Sequence, residues 1–309
     1  MNGNDWSIAG QSELLKLSLP GGGWSYRGTT WSSEPTALAC LALLAACESD
    51  HARKETLPII HAGADRLAAI QTREGSIGLS AAHPSPGWIT PYALLLWKAL
   101  GVYEDHCRRA AAWILTQKGR TLSRDDDPNH IAGHDTTLVG WPWVANTHSW
   151  LEPTAMAVLA LDRAGLGAHP RVFEGLKLIR DREIESGGWN YGNKAVFGRP
   201  LRPQPAPTGL ALLTLSGIDP ETAPIKSAIH YLQSMLPSVR ACSSLSWAIL
   251  GLRAWNEQPA DANLWLSQAF DAVTGRPDAA PRLACLLLAG SEPTLSLFGR
   301  ETLALASAH

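Results

Sequence analysis

"WSSEPTALACLALLA" (residues 31–45) and "HSWLEPTAMAVLAL" (residues 148–161) are near copies of one another. Each places a Glu-Pro-Thr step between a Trp-bearing stretch and an uninterrupted apolar run. Proline suits the first helical position, where its missing N–H would have had no intrahelical partner. The Ala, Leu and Met that follow are strong helix formers. Both stretches therefore read as helix starts, with Glu34 and Glu152 at or beside the N-cap. A carboxylate there interacts with the helix dipole by about 0.3–1 kcal/mol when exposed, and this cap is the simplest reading of either glutamate. Over 37–47, 154–161 and 209–215 the helices carry no polar stripe. A helix apolar all round is enclosed by protein or by lipid. None reaches the roughly 20 residues that span a bilayer, so the pattern predicts buried helices of a protein core.

The same unit recurs as "TPYALLLWKAL" (90–100) and "APTGLALLTL" (206–215), and in weaker form as "SSLSWAILGL" (243–252) and "APRLACLLLAG" (280–290). Pro35, Pro91, Pro153 and Pro207 lie 56, 62 and 54 positions apart. Between these runs lie amphipathic segments with charged and amide residues at helical spacing, at 11–19, 61–71, 105–117, 171–184, 222–235 and 261–273. Repetition of this kind defines a stacked architecture, in which each unit buries its apolar face against its neighbours. Six pairs with wholly apolar second helices favour closure into a ring. The expectation is an all-α fold, an (α/α)6 toroid of six helix-pair repeats in one domain over 1–309, with inner helices beginning near 35, 91, 153, 207, 243 and 281.

The 309 residues are 45% hydrophobic with a formal net charge of −2, which leaves no basic surface for nucleic acid. No signal peptide, lipidation motif or charged tail is visible. Five cysteines without a CxxC pair suggest reduced thiols in the cytoplasm. Association with a membrane surface, or with a second subunit, is the alternative to a free monomer there.

The loops leading into the apolar helices hold the distinctive residues. Of thirteen Trp in the chain, seven (Trp24, Trp31, Trp88, Trp141, Trp143, Trp150 and Trp189) sit in these loops, with Tyr26, Tyr191 and Asn146 beside them. Each ring alone has a simple role in capping the end of the ring of helices. Seven together suggest an aromatic-walled, substrate-binding cavity suited to a carbocation, a hydrophobic chain or stacked sugars.

"QTREGSIG" (71–78) and the Gly-Gly-Trp steps at 22–24 and 187–189 resemble degenerate versions of the Gln-x-x-x-Gly-x-Trp repeat of the terpene cyclase, squalene–hopene cyclase and prenyltransferase superfamily. The resemblance covers nearly the whole chain and implies an (α/α)6 barrel. In class II terpene cyclases an Asp-x-Asp-Asp motif opens an inner helix, and its middle Asp protonates an isoprene double bond or epoxide. "WLEPTAMAVLAL" matches that helix start with Glu152 on the middle Asp and Pro153 on the last, and "SSEPTALACLAL" offers Glu34 in the same register. No Asp-x-Asp-Asp occurs in the chain. The resemblance thus implies a terpene-cyclase-like enzyme acting on an isoprenoid or meroterpenoid without a cofactor. Glu152 is its preferred acid and Glu34 the second, with His148, His134, Asp135 and Asn146 placed to hydrogen-bond the acid and resupply protons. A carboxylic acid in that role needs a raised pKa, from desolvation or a second carboxylate.

Other readings compete. Asp125–Asp127, in "SRDDDPNH", has the composition of a Mg²⁺-diphosphate motif but the setting of a polar turn. "DHC" (105–107) has the spacing of the zinc site of protein prenyltransferase β-subunits, but it opens an outer helix, so no metal is expected. Lanthipeptide cyclases share the ring and use a zinc set that is not visible here. A carbohydrate-active (α/α)6 enzyme would use Glu34 and Glu152 as its carboxylate pair, although the loops are poor in the polar side chains sugars require. A ring retained as a lipid- or protein-binding scaffold is the non-catalytic alternative.

Overall fold

The computed structural model describes residues 5–47, 50–85, 87–123, 133–217 and 223–299. Among them twelve helices form six outer–inner pairs. The outer helices are α1 (Asp5–Lys16), α3 (Asp50–Ala69), α5 (Glu104–Thr116), α7 (Pro170–Asp181), α9 (Ala223–Met235) and α11 (Ala262–Val273). The inner helices are α2 (Ser33–Ala46), α4 (Thr90–Leu100), α6 (Leu151–Leu161), α8 (Pro205–Thr214), α10 (Cys242–Arg253) and α12 (Ala279–Gly290). Each inner helix begins one or two residues before the position expected from sequence. A short α13 (Thr294–Phe298) follows, and the described strands are a hairpin, β1 (Ala195–Val196) with β2 (Arg199–Pro200).

The inner helices pack in the order α2, α4, α6, α8, α10, α12, and α12 returns to α2. The ring is closed. Most outer helices bridge two neighbouring inner ones, α3 across α2 and α4, and α1 across α12 and α2. This layering explains the absence of a polar stripe. An inner helix meets protein on its outer side, on both flanks and across the lumen, so every residue of α2 except Glu34 is buried. Beyond α12, α13 packs against α2 and α4, and its fully buried Phe298 meets Trp247 of α10 with ring centroids 5.9 Å apart. These partners come from opposite parts of the ring, so α13 closes the end of the lumen remote from the inner-helix N-termini.

A shared lock fixes the loops before the first four inner helices. Trp24, Trp141 and Trp189 donate their indole N–H to carbonyls in the last turns of α1, α5 and α7 (Leu14, Ile114 and Ile179) at 2.7–2.8 Å. Their own backbone N–H groups bond the hydroxyls of Thr36, Thr154 and Thr208 at 2.9–3.0 Å. In the second unit Ile77 stands in for Trp and bonds Thr90 Oγ1 at 2.9 Å. The Gln and Gly of the repeat join one unit to the next. Gln71 Nε2 donates to the carbonyls of Gly75 and His106, each at 3.0 Å. Gly75 has φ +106°, and a Cβ there would lie 2.2 Å from the Arg109 carbonyl oxygen of α5, so only glycine permits this approach.

Candidate active site

The threonine lock supplies the true register of the repeats. Pro35, Pro153 and Pro207 each precede their threonine by one residue, whereas Pro91 follows Thr90 and Ile89 holds the matching place. Aligning all four prolines from sequence therefore misplaces the second unit by two residues. Counted from the threonines, Glu34, Trp88, Glu152 and Ala206 occupy one layer at the mouth of the lumen. Tyr92 lies four residues past the Trp88 position, about one helical turn deeper on the same face.

Glu34 and Glu152 are joined through this layer. The buried Tyr92 hydroxyl donates to Glu152 Oε1 at 3.4 Å, and the Tyr26 hydroxyl, from the rim, donates to Glu34 Oε2. Both carboxyls are largely enclosed by protein yet remain partly exposed. Burial pushes the Glu152 carboxyl up to about 7, opposed by its Tyr92 hydrogen bond. Burial also pushes Glu34 up to about 7, and the charge of Glu152 adds to that rise. Coulomb repulsion is reciprocal, so ionisation of either carboxyl holds a proton on the other and the two titrate as a pair. Tyr92 rises well above its ordinary value through burial and through both glutamates. The Cys285 thiol of α12, pushed up to about 12 by burial and then by Glu34, belongs to the same enclosed group.

The remaining sequence candidates divide. Trp24 and Trp189 are fully buried and spend their N–H groups on the lock, which corrects their placement in an open wall. Trp141 shares the lock, packs under the Arg171 guanidinium at 4.1 Å, and borders a cleft described below. Trp31 lies at the rim beneath Arg66, 5.4 Å from the ring centroid. Trp88 meets Tyr92 edge-on at 6.5 Å and Trp143 at 4.9 Å, so its ring stands between Tyr92 and Trp143. Trp150 caps α6 and stacks with His148 at 4.4 Å.

His148 is held below its ordinary pKa by burial and by Arg182. That buried arginine reaches the Gly192 carbonyl at 3.0 Å and Asp181 at 3.6 Å. Asp135 accepts from Thr137 and takes its own backbone bond to Asp181. His134 adjoins it in the same loop. Asn146 is exposed in a left-handed turn, and Tyr191 is exposed on the rim. The expected hydrogen bonds from the His148 loop to Glu152 are thus replaced by the bond from Tyr92. Sequence reading passed over Tyr92 because a tyrosine in an apolar helix looks like core. The available signal was its hydroxyl, which on an otherwise apolar buried helix needs a hydrogen-bond partner.

Asp125–Asp127 lies outside the described residues. In the outer-helix "DHC" segment, Asp105 pairs with Arg108 and Arg109, and His106 Nδ1 meets Gln71 Oε1 at 2.7 Å. Among the described residues no group of three or more His, Cys, Asp and Glu side chains has the arrangement to hold a metal ion. No helix there is long and apolar enough to cross a membrane. Between the N-termini of α4 and α6 and the C-terminal end of α5, a cleft of about 430 Å³ opens at the rim.

No family model matches the sequence, and no curated protein does. Solved structures are similar in fold. Type II terpene cyclase MstE from Scytonema, as a variant in complex with merosterolic acid A (its product), superposes with a TM-score of 0.58 at 13% identity, covering 93% of this chain and 97% of that one. The same enzyme without ligand gives 0.58 at 16% identity, covering 90% and 82%. A family 76 glycoside hydrolase from a bovine Bacteroides thetaiotaomicron strain gives 0.57 at 12% identity, covering 94% and 78%. The chain therefore has the terpene-cyclase-like α/α toroid fold. At these identities the likeness establishes the fold and not the activity.

Proposed function

We propose that the protein cyclises or rearranges an isoprenoid or meroterpenoid by protonating it, with the Glu34–Glu152 pair as the acid. The observation that carries this reading is the coupling of two enclosed carboxyls, each raised to about 7, at the mouth of an otherwise apolar lumen. A carboxylic acid titrating there holds a proton at neutral pH, as a donor to a weakly basic alkene or epoxide must. The second carboxyl supplies what the absent Asp-x-Asp-Asp would have supplied, from a different helix.

In the step itself, Glu152 transfers its proton to the substrate and becomes a carboxylate. The Tyr92 O–H, already directed at Oε1, stabilises that new charge. Positive charge moving along the isoprenoid meets the rings of Trp88 and Tyr92. The closing proton loss leaves a neutral product, and the pair is recharged from water at the rim beside Tyr26. No cofactor is needed. MstE, solved with geranylgeranyl dihydroxybenzoate as substrate in another variant, shares this fold, as the glycoside hydrolase does; the apolar inner helices around the carboxyl pair are what favour an isoprenoid over a sugar.

The test is incubation with linear isoprenoids and their epoxides, free and diphosphorylated, using wild type, Glu152→Gln and Glu34→Gln. Gln keeps shape and hydrogen bonding but carries no transferable acid proton. Loss of product of 10²-fold or more in Glu152→Gln is expected from the usual scale of general acid catalysis. Unchanged turnover in both variants removes the pair from the role, and hydrolysis of oligosaccharides in its place would favour a glycosidase.

A further inference from the structure

The rim cleft contains neither glutamate and no Tyr92, so it is distinct from the lumen site. Trp88 is the partition. It meets Tyr92 on the lumen side and, in the cleft, makes an 81° corner with Trp143. Trp113 of α5, an outer-helix residue that the loop pattern gives no reason to notice, forms a further wall. Its ring lies against Gly87, where a Cβ would fall 2.5 Å from it, and that contact holds the wall in place. At about 430 Å³ the volume falls within the range of small-molecule sites.

The lining decides the ligand chemistry. Among the described residues it includes no ionisable side chain, so a carboxylate, diphosphate or ammonium ligand would be desolvated without a counter-charge. Among the described lining residues the polar side-chain groups are the Ser76 and Ser85 hydroxyls, the Gln117 amide and the indole N–H groups; Ser76 Oγ is engaged with Thr72 at 2.9 Å, Gln117 Nε2 with Thr116 at 3.0 Å and Trp141 Nε1 with the Ile114 carbonyl at 2.8 Å. That leaves the Ser85 hydroxyl, Gln117 Oε1 and indole N–H donors as partners, which suits a ligand with one or two hydroxyls better than the many hydroxyls of a sugar. An indole corner favours a flat ring, one face stacked and one edge against the second indole. We infer that this cleft is a second binding site, separate from the carboxyl pair, for an uncharged aromatic compound bearing one or two hydroxyls.

The test is calorimetric titration of the whole protein with 4-propylphenol at pH 7, beside 4-hydroxybenzoate, methyl β-glucoside and farnesol. Saturable one-to-one binding of the phenol is expected, with the charged, sugar and linear probes at least tenfold weaker. Ala145→Trp, at an exposed position on the cleft wall, should fill the site and weaken the phenol at least tenfold. Trp143→Ala should do so by removing the corner. Glu152→Gln should leave binding unchanged. Absence of saturable binding, equal binding of farnesol, or binding untouched by Ala145→Trp overturns the proposal. Binding lost in Glu152→Gln moves the ligand to the lumen and overturns it too. None of these results depends on turnover, so they stand apart from the test of the acid pair.

Discussion

Replacing Glu152 by Gln should stabilise the protein at alkaline pH, and the size of the effect follows from burial. The Glu152 carboxyl rises from 4.5 to about 7 on folding. The folded state therefore binds its proton more tightly than the unfolded chain. That stabilisation is fully present below pH 4.5, declines as pH rises, and is lost above about 7. A displacement of about 2.5 units at 1.36 kcal/mol per unit gives about 3 kcal/mol of stability lost by wild type across this window through this group alone. Gln has no such proton, and removing the Glu152 charge also relieves Glu34. The assay is urea unfolding followed by far-UV circular dichroism at half-unit steps from pH 4.5 to 8.5, wild type beside Glu152→Gln. The difference between the two curves cancels groups common to both, Glu183 among them. The variant should gain on wild type steadily from pH 4.5 to about 7.5, then hold level. Parallel curves would refute the argument, since they would mean that the carboxyl keeps an ordinary pKa and carries no proton at neutral pH.

The Tyr92 hydrogen bond lowers the Glu152 pKa, so Tyr92→Phe should move the alkaline limb of the pH–rate profile upward by about one unit, taking a charged hydrogen bond as about 1.5 kcal/mol. A profile unmoved by this change would remove Tyr92 from the acid's surroundings. Trp189→Ala, which breaks a fully buried lock, should cost about 3–5 kcal/mol in urea unfolding. Trp31→Ala, which removes a half-buried ring from the edge of the core and its contact with Arg66, should cost clearly less; equal costs would contradict the division between lock and rim.

How far the chain could be read in advance differs between its helices and its site. Inner helices were legible because enclosure on all sides demands an unbroken apolar run, and proline marks where most of them start. The register was not fully legible. Pro91 reads as a copy of Pro35, but the bond from Ile77 to Thr90 shows that it stands two residues late. That slip hid Trp88 as the layer-mate of Glu34 and Glu152. The sequence pairs the two glutamates only for the carbohydrate-active reading; their repulsion of one another and of Tyr92 joins α2, α4 and α6, and no local pattern reports an interaction made across three helices. Proximity in sequence misled at His148: its ring turns toward Trp150 and Arg182 at the rim, while the partner of Glu152 comes from 60 residues away. In the sequence alone Trp24 and Trp189 read as cavity wall, because a loop aromatic next to glycine fits that role as well as it fits a lock. Only the carbonyl at the end of the outer helix distinguishes the two.

The packing of α2 against α12 has a consequence for how the chain is made. An open solenoid has end repeats that shield its interior, so its length can be trimmed by a unit at little structural cost. A closed ring has no ends of that kind. Ala46, the last residue of α2, and Ala279, the first of α12, are 233 positions apart, and until the later helix emerges the earlier one keeps an apolar flank uncovered. During synthesis the first five pairs form an arc with two sticky edges, the condition under which partly folded chains associate with one another. Completion of the sixth pair removes both edges in a single step. Truncations within α11 or α12 should therefore yield insoluble chains rather than a five-unit protein.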